Sequence, residues 1–349
     1  MPVTVVVGGQ FGSEGKGKVA YSLAKTFGAR LAVRVGGSNS GHTVVVDSGS
    51  RFVLRHLPTP ALLPGMVSIL PPGSYLDLAV LLDEIRRLNV EPRSLVIDPN
   101  AAIVRDQERE AEAAGPLRDA IGSTLTGTGA AVARRVSRDG SLVLARDIAE
   151  LEPYLGATLP RLRAALDRGD RVLIEGTQGY GLSLLHSPHY PYATSRDTTA
   201  AAALAESGLS PMDVDQVVLV IRTFPIRVGG NSGPLTREIS WAEIAARGGH
   251  NHELSEYTSV TRRLRRVGEF DPAIVRKAIA ANAPTLVVLN HADYLDHDAC
   301  GRQQVTPVIR KFVAWAERAI GRRIDLAGLG PTQLTPTHAD SPRLSEVPG

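Results

Sequence analysis

The chain of 349 residues carries 39 Lys and Arg against 36 Asp and Glu, a formal net charge of +3, and 43% of its residues are hydrophobic. This length allows a substantial core, and so small an excess of positive charge does not indicate a nucleic-acid-binding protein. A single cysteine, Cys300, excludes a disulfide framework within the chain and favours a reducing, cytoplasmic location, while no apolar run reaches membrane-spanning length.

Apolar, β-branched runs bounded by turn residues predict buried strands along the chain, with helices between them. The strands are expected at 3–8, 30–35, 51–57, 94–99, 171–176, 216–224 and 285–291. The helices are expected at 15–27, 76–88, 106–114, 159–168, 197–206, 271–282 and 308–320. This alternation predicts an α/β fold, with a central, mostly parallel sheet flanked by helices. We expect one domain over residues 1–349, with long active-site loops and a polar tail that frays from about residue 335.

The stretch GGQFGSEGKGK, residues 8–18, follows the first predicted strand and is similar to a phosphate-binding loop. It departs from the common G-x-x-x-x-G-K-[ST] pattern, because Gly17 follows Lys16 where a hydroxyl would hold magnesium. Backbone N–H groups, the dipole of the following helix and the charges of Lys16 and Lys18 predict an anion site here. A glycine-rich turn with solvated lysines is the alternative.

Other stretches rich in glycine and hydroxyl groups follow later strands. RVGGSNSGHT contains His42, a residue type suited to proton transfer or charge stabilisation, although a structural role is as common. The hydroxyls and amides of 121–131 and 190–200 can hold a phosphate, or serve as a linker and a helix cap. The glutamine of 173–185 has the donor and acceptor needed to read a base edge.

The C-terminal third carries charged and glycine-rich stretches. EYTSVTRRLRR (256–266) has four arginines in five positions, which suit a dicarboxylate or phosphate pocket, a phosphodiester-binding patch or a solvated face. NHAD (290–293) follows a strand, and Asp293 could accept from a guanine base or cap a helix. GLGPT (328–332) could close over a flat base.

In this order, these motifs resemble the adenylosuccinate synthetase family over nearly the whole chain. The matching segments are Gly12-Ser13-Glu14-Gly15-Lys16-Gly17-Lys18, Asn39-Ser40-Gly41-His42-Thr43, Ile121-Gly122-Ser123-Thr124, Ala133-Arg134-Arg135, Glu175-Gly176-Thr177-Gln178-Gly179, Tyr190 to Ser195, Arg227-Val228-Gly229, Thr258 to Arg266, Asn290 to Asp293 and Gly330-Pro331. The chain is shorter than most members, as in the compact archaeal and phage branch. The resemblance implies a homodimeric C–N ligase whose partners are small molecules, with no stable nucleic-acid or membrane partner.

The family reaction has two steps. The γ-phosphate of a nucleoside triphosphate moves to O6 of a purine monophosphate, and the amino group of L-aspartate then displaces it from C6. The resemblance implies catalytic roles for Ser13, Lys16 and His42. It implies donor-nucleotide binding by Gly12, Glu14, Gly15, Lys16, Gly17, Lys18, Gly41, His42, Thr43, Asn290, Asp293, Gly330 and Pro331.

The resemblance also implies residues for the acceptor, for aspartate and for Mg²⁺. The acceptor nucleotide would be held by Ser13, Asn39, Ser123, Thr124, Arg134, Gln178, Thr194 and Val228, with Arg134 reaching in from the partner subunit. Aspartate would be held by Thr258, Ser259, Val260, Thr261, Arg263 and Arg265, and Mg²⁺ by Ser13 and Gly41.

Ser13 stands where ordinary family members have the aspartate that removes the N1 proton of IMP. Serine is a weak general base, which leaves three interpretations: an inactive enzyme, an ordinary IMP- and GTP-dependent enzyme with a relocated base, or a different acceptor. Because a hydroxyl leaves room for the 2-amino group of guanine, we favour the third. The pattern resembles the dGMP-dependent 2-aminoadenylosuccinate synthetase branch of phages, whose product leads to 2-aminoadenine DNA in the host cytoplasm.

Other positions also depart from the family pattern. Val260 and Arg262 predict rearranged contacts to aspartate, and Thr126 replaces a basic residue. The resemblance assigns Asn290 to Asp293, which we call the base motif, to the base of the donor nucleotide. In this motif Asp293 favours a guanine donor. Because the residues beside Asp293 differ from the family's, ATP, dATP and GTP all stay open as donors. A nucleotide- or nucleic-acid-binding protein and a nucleotide kinase that uses no aspartate are the rival functions.

Overall fold

The computed structural model of the protein describes residues 2–258 and 263–340. Its strands are β1 (Val3–Gly8), β2 (Leu31–Arg34), β3 (His42–Val45), β4 (Arg51–Leu54), β5 (Val67–Leu70), β6 (Tyr75–Asp77), β7 (Leu95–Ile97), β8 (Ala102–Val104), β9 (Val172–Gly179), β10 (Val214–Arg222), β11 (Ile226–Arg227), β12 (Glu238–Ile239), β13 (Arg266–Gly268), β14 (Leu286–Asn290), β15 (Leu326–Gly328) and β16 (Leu334–Pro336). Its α-helices are α1 (Lys16–Phe27), α2 (Leu78–Arg87), α3 (Asp106–Ala114), α4 (Leu117–Ile121), α5 (Thr128–Ser137), α6 (Thr158–Asp167), α7 (Ala200–Ser207), α8 (Trp241–Arg247), α9 (Pro272–Asn282) and α10 (Pro307–Ile320).

The predicted central sheet is confirmed. It has nine strands in the order β16-β15-β14-β10-β1-β9-β2-β5-β7, and every neighbouring pair is parallel except β15 with β16. Strand β1 lies in the middle, where Val5 pairs with Val217 on one side and Ile174 on the other. The carboxyl ends of β1, β9, β10 and β14 therefore meet at one edge, where ligands of open α/β sheets bind.

Helices cover both faces of this sheet, which explains why the central strands are apolar throughout rather than alternating. On one face Val5, Val33 and Ile174 pack with residues of α7, α9 and α10. On the other face Val6 and Leu173 pack against α1. The sheet therefore provides a rigid edge from which the loops project.

Several local predictions need correction. The predicted strand 51–57 becomes the short β4, which pairs with β3 in a separate hairpin rather than in the central sheet. Strand β5 of the central sheet and helix α5, within a stretch interpreted as a loop, were not predicted. Residue 335 lies within β16 and Thr337 is buried, so fraying does not begin at 335; residues 341–349 lie outside the described part.

Across residues 2–258 and 263–340, no helix is both long and apolar enough to cross a membrane.

Candidate active site

The loop after β1 is folded around its own buried carboxylate. Glu14 accepts hydrogen bonds from the backbone N–H of Gln10 (3.1 Å) and of Gly12 (2.8 Å), and it pairs with Lys16 Nζ at 2.7 Å. Gly12 and Gly15 have φ of +87° and +86°, a region that favours glycine. The loop is thus shaped from within, and Lys16 is held at the start of α1.

Gly17 explains why this loop departs from the common phosphate-binding pattern. A Cβ at Gly17 would lie 2.9 Å from the Thr43 carbonyl oxygen and 3.0 Å from His42 Cβ. The glycine therefore allows β3 to lie directly against α1, and the close approach brings His42 to the helix that begins at Lys16.

His42 belongs to a buried network with Arg34 and Glu175. Glu175 is fully buried and accepts from Arg34 NH1 (2.7 Å), from the Thr59 backbone N–H (2.7 Å) and from the Thr59 hydroxyl (3.0 Å). His42 Nδ1 contacts both this carboxylate and Arg34 NH1, and the two contacts fix the orientation of the imidazole ring. Burial and the Arg34 charge lower the pKa of His42 to about 3, which keeps the unliganded imidazole neutral.

Ser13 lies between two guanidinium groups. Its hydroxyl accepts from Arg265, and its carbonyl accepts from Arg222 NH1 at 2.9 Å. Arg222 is fully buried and pairs with Glu256, whose carboxylate also accepts from the Tyr294 hydroxyl at 3.1 Å. Burial opposes the charge of Glu256, but Arg222 outweighs it and lowers the pKa of Glu256 to about 2.

A cleft beside this loop collects predicted acceptor residues. Asn39, Gln178 and Thr194 line it together, and Asn39 Nδ2 lies 3.5 Å from Thr194 Oγ1. A Cβ at Gly12 would lie 3.1 Å from Gln178 Oε1. The amide that is predicted to read the acceptor base therefore packs against the loop segment that carries Ser13.

The base motif after β14 is hydrogen-bonded to the loop between β1 and α1. Asn290 Nδ2 donates to the carbonyl oxygens of Glu14 (2.8 Å) and Gly15 (3.3 Å), while its buried Oδ1 has no hydrogen-bond partner among the described residues. Lys18 Nζ donates to the Gly330 carbonyl at 3.0 Å, and burial lowers the pKa of Lys18 to about 8. Lys18 therefore positions the Gly330 segment, whereas Lys16 is the lysine at the helix start.

Other predicted residues lie in adjoining loops. The hydroxyl of Ser232 donates to the Val228 carbonyl, and a Cβ at Gly122, beside Ser123, would lie 3.0 Å from Ser232 Cβ. Ser123 Oγ accepts from the Leu125 N–H at 3.2 Å in the turn that continues from Thr124.

The remaining predicted residues lie away from the cleft, on the surface or outside the described residues. Arg134, on α5, pairs with Glu108 of its own subunit at 2.9 Å and is not brought to the residues above. Arg263 is exposed, and its N–H donates to Thr258 Oγ1 at 3.0 Å. Pro331 is exposed. The predicted aspartate-binding residues Ser259, Val260 and Thr261 lie outside the described residues.

Sequence reasoning missed Arg34, Arg222 and Glu256, although they contact predicted site residues. Each arginine is the charged residue at the carboxyl end of an apolar strand, which is a recognisable signal. Their partners cannot be identified in the same way, since Arg34 and Glu175 are 141 positions apart in sequence.

Comparison with known proteins supports the resemblance. A family profile described as adenylosuccinate synthetase matches residues 5–148 and 143–300. The adenylosuccinate synthetase of Thermococcus onnurineus is 39% identical over 342 residues, covering 95% of this chain and 96% of the relative. That of Pyrococcus horikoshii is 37% identical over 339 residues, covering 95% of this chain and 96% of the relative.

Two solved structures extend this comparison. The succinoaminodeoxyadenylate synthetase (PurZ) of cyanophage S-2L, solved with dGMP and with dATP as an energy donor, is 31% identical with a TM-score of 0.80; the match covers 99% of this chain and 97% of that one. The fully ligated adenylosuccinate synthetase of Plasmodium falciparum has a TM-score of 0.82 at 19% identity, covering 96% of this chain and 100% of that one. The second likeness concerns the fold alone.

Proposed function

The chain belongs to the adenylosuccinate synthetase family of C–N ligases, and from this premise we propose that it joins L-aspartate to C6 of dGMP. The reaction consumes a nucleoside triphosphate and gives 2-amino-2′-deoxyadenylosuccinate, the precursor needed for 2-aminoadenine DNA. Ser13 is the single observation that carries the proposal, and the likeness to the cyanophage enzyme solved with dGMP supports it.

The position of Ser13 supports dGMP as the proposed acceptor. Its neutral hydroxyl lies beside Arg265, where ordinary members of the family carry an aspartate, and the preceding residue Gly12 packs against the Gln178 amide. A hydroxyl is smaller than a carboxylate, and it can donate or accept. The 2-amino group of guanine, which hypoxanthine lacks, can therefore fit beside it.

The donor side of the site would carry out phosphoryl transfer mainly through position and charge. Lys16 would turn from Glu14 to the donor phosphates, which also receive the N–H groups at the start of α1. Because phosphates are anions, their arrival favours protonated His42, which would donate from Nε2 to the moving phosphoryl group. Glu175 holds the ring in the orientation that this requires.

Gly41 and Ser13 offer a carbonyl and a hydroxyl oxygen, the kind of ligand that Mg²⁺ prefers, and bound Mg²⁺ would neutralise charge on the donor phosphates. Asn290 and Asp293, with Gly330 and Pro331, would bind the donor base, for which ATP, dATP and GTP are the candidates. The unpartnered Asn290 Oδ1 is available to a base amino group.

The acceptor and aspartate would be held on the other side of Ser13. Asn39, Thr194, Ser123 and Thr124 would hold the 5′-phosphate of dGMP, while Gln178 and Val228 would contact its nucleoside. Thr258, Arg263 and Arg265 would hold the carboxylates of aspartate by paired guanidinium hydrogen bonds, together with residues 259–261.

We also propose a homodimer in which Arg134 reaches the acceptor phosphate of the partner subunit. Arg134 lines a surface groove together with Arg135, Arg138 and Arg146. Arg134 lies away from the cleft of its own subunit, which supports a role in binding the acceptor phosphate of the partner subunit.

One assay matrix tests the substrate assignment. Purified protein is incubated with aspartate and Mg²⁺, with dGMP, GMP or IMP as acceptor and ATP, dATP or GTP as donor, and products are separated by chromatography. We expect aspartate-dependent product from dGMP. Turnover of IMP alone would contradict the dGMP assignment and would indicate the activity for which the archaeal relatives are named. Turnover of donor and acceptor without aspartate would indicate a kinase.

A further inference from the structure

Three histidines form a cluster on the side of the base motif, outside the residues assigned above. One ligand atom from each of His250, His252 and His297 lies within 4.8 Å of the other two. The three ring centroids form a triangle, with distances of 5.5 Å from His250 to His252, 4.9 Å from His250 to His297 and 5.6 Å from His252 to His297. Three converging imidazoles are a ligand set typical of zinc-class transition metals.

The hydrogen bonds of His250 prepare it as a ligand. Its Nε2 lies 3.1 Å from the Asp293 carbonyl oxygen, and because a carbonyl only accepts, this nitrogen carries the proton. The lone pair is therefore on Nδ1, which is buried and has no hydrogen-bond partner among the described residues. A backbone carbonyl that fixes the ring through its other nitrogen is the usual support of a metal-binding histidine.

The spacing requires only a small adjustment. Nitrogen ligands of a tetrahedral zinc ion, at roughly 2.0–2.1 Å from the metal, lie roughly 3.3 Å apart. His252 is exposed and can rotate towards the other two rings. His297 is already placed by its backbone N–H, which donates to the Gly248 carbonyl at 2.8 Å.

We propose that His250, His252 and His297 bind one divalent transition-metal ion of the zinc class, with a fourth position open to water. The ion would join the segment that leads to Glu256 with the segment that follows Asp293. It would therefore stiffen the support of the donor-base motif. This site is distinct from the Mg²⁺ site, because Mg²⁺ prefers oxygen ligands.

Co²⁺ and Zn²⁺ titrations of the full chain test this site directly. The protein is purified without a histidine tag, freed of metal with a chelator and kept in millimolar Mg²⁺. We expect one equivalent of Co²⁺ to give the visible absorption of four-coordinate cobalt, which Zn²⁺ then displaces. Zn²⁺ should also raise the melting temperature, since a ligand that binds the folded state stabilises it.

Variants locate the ion. His252→Gln and His297→Gln should each weaken Zn²⁺ binding at least about tenfold and remove the melting shift. The control His338→Gln removes a histidine that pairs with Glu317 instead, and it should bind as the wild type does. The proposal is overturned if the wild type takes up no stoichiometric metal, or if both variants bind it as tightly as the wild type.

Discussion

The surroundings of His42 and of Ser13 differ in how they are held. His42 and its partners Arg34 and Glu175 are at most 7% exposed, and each is fixed by contacts within the protein. Ser13 and Arg265 are half-buried, and Arg263 is exposed. The first region suits a step common to every acceptor, the transfer of a phosphoryl group. In the proposed function the second region would face the substrates that differ between family members, so that one substitution there would change the acceptor.

In the first region, around His42, we expect the largest loss of stability from a substitution of Glu175. Glu175→Gln keeps the shape but removes the negative charge, which leaves the buried Arg34 guanidinium unpaired. We expect the free energy of unfolding to fall by about 3–5 kcal/mol, measured by urea denaturation. Glu243→Gln is the control, since its exposed pair with Arg247 is worth about 0.5 kcal/mol or less. Similar small losses in both variants would contradict a network held by charge.

His42→Ala tests whether the same region acts on the transition state. We expect kcat to fall by about 10²–10³-fold with little change in KM for either nucleotide, because the lost contact forms during transfer. Steady-state kinetics with the acceptor identified by the assay matrix measure both constants. The exposed His186 provides a control in His186→Ala. A rise in KM at constant kcat would instead assign His42 to ground-state binding.

The difference between the regions also explains what could be predicted from sequence. Apolar runs identified β1, β9, β10 and β14, whose loops carry the site, because strands buried on both faces leave a strong local signal. Strand β5 is only four residues long and includes Ser68, so its signal is weak. Helix α5 begins in a glycine-rich stretch, and its first N–H groups are satisfied by Glu112, which lies on another helix. Such distant caps leave no local pattern.

The same limit applies to the site. The glycine motifs identified the loop around Lys16 and the stretch that contains His42, since close backbone approach demands glycine. They did not predict that His42 begins a strand, β3, rather than lying in a loop. Lys16 pairs locally with Glu14, but the ion pair beside His42 joins the distant positions Arg34 and Glu175, and only the folded chain brings these together.

Ser13→Asp tests whether the second region, around Ser13, selects the acceptor nucleotide. The new carboxylate would lie beside Arg265 and Arg222, which can pair with it, so the variant is expected to fold. If the hydroxyl makes room for the 2-amino group, kcat/KM for dGMP should fall about 100-fold while KM for the donor stays nearly constant. Ser13→Asn matches aspartate in size without its charge, and comparing the two separates steric from electrostatic causes. Equal losses for dGMP and for the donor would count against the assignment.

The smallest expected effect depends on pH and involves one buried histidine of each region. His42 belongs to the first, and His291 belongs to the second, where its ring lies 5.1 Å from that of Tyr294, the partner of Glu256. Burial lowers the pKa of His42 and of His291 to about 3, assisted by Arg34 and Arg222 respectively. The unfolded chain takes up these protons below about pH 6.5 and the folded chain only near pH 3, so stability is lost as the pH falls between these values. At about pH 5 each histidine should account for about 2 kcal/mol of this loss.

Urea unfolding at about pH 7 and about pH 5 measures this loss. His42→Asn and His291→Asn should each reduce the difference between the two pH values by about 2 kcal/mol, whereas His186→Asn, at an exposed position, should leave it unchanged. The window lies above the range in which Glu256 affects stability, since the pKa of that carboxyl is lowered from 4.5 to about 2 and its contribution is lost only as the pH falls between these values. An unchanged difference in His42→Asn alone would mean that the pKa of His42 in the folded protein lies near its unfolded value. A larger difference would mean that Glu175 keeps His42 protonated, and the transfer region would then be charged before any phosphate arrives.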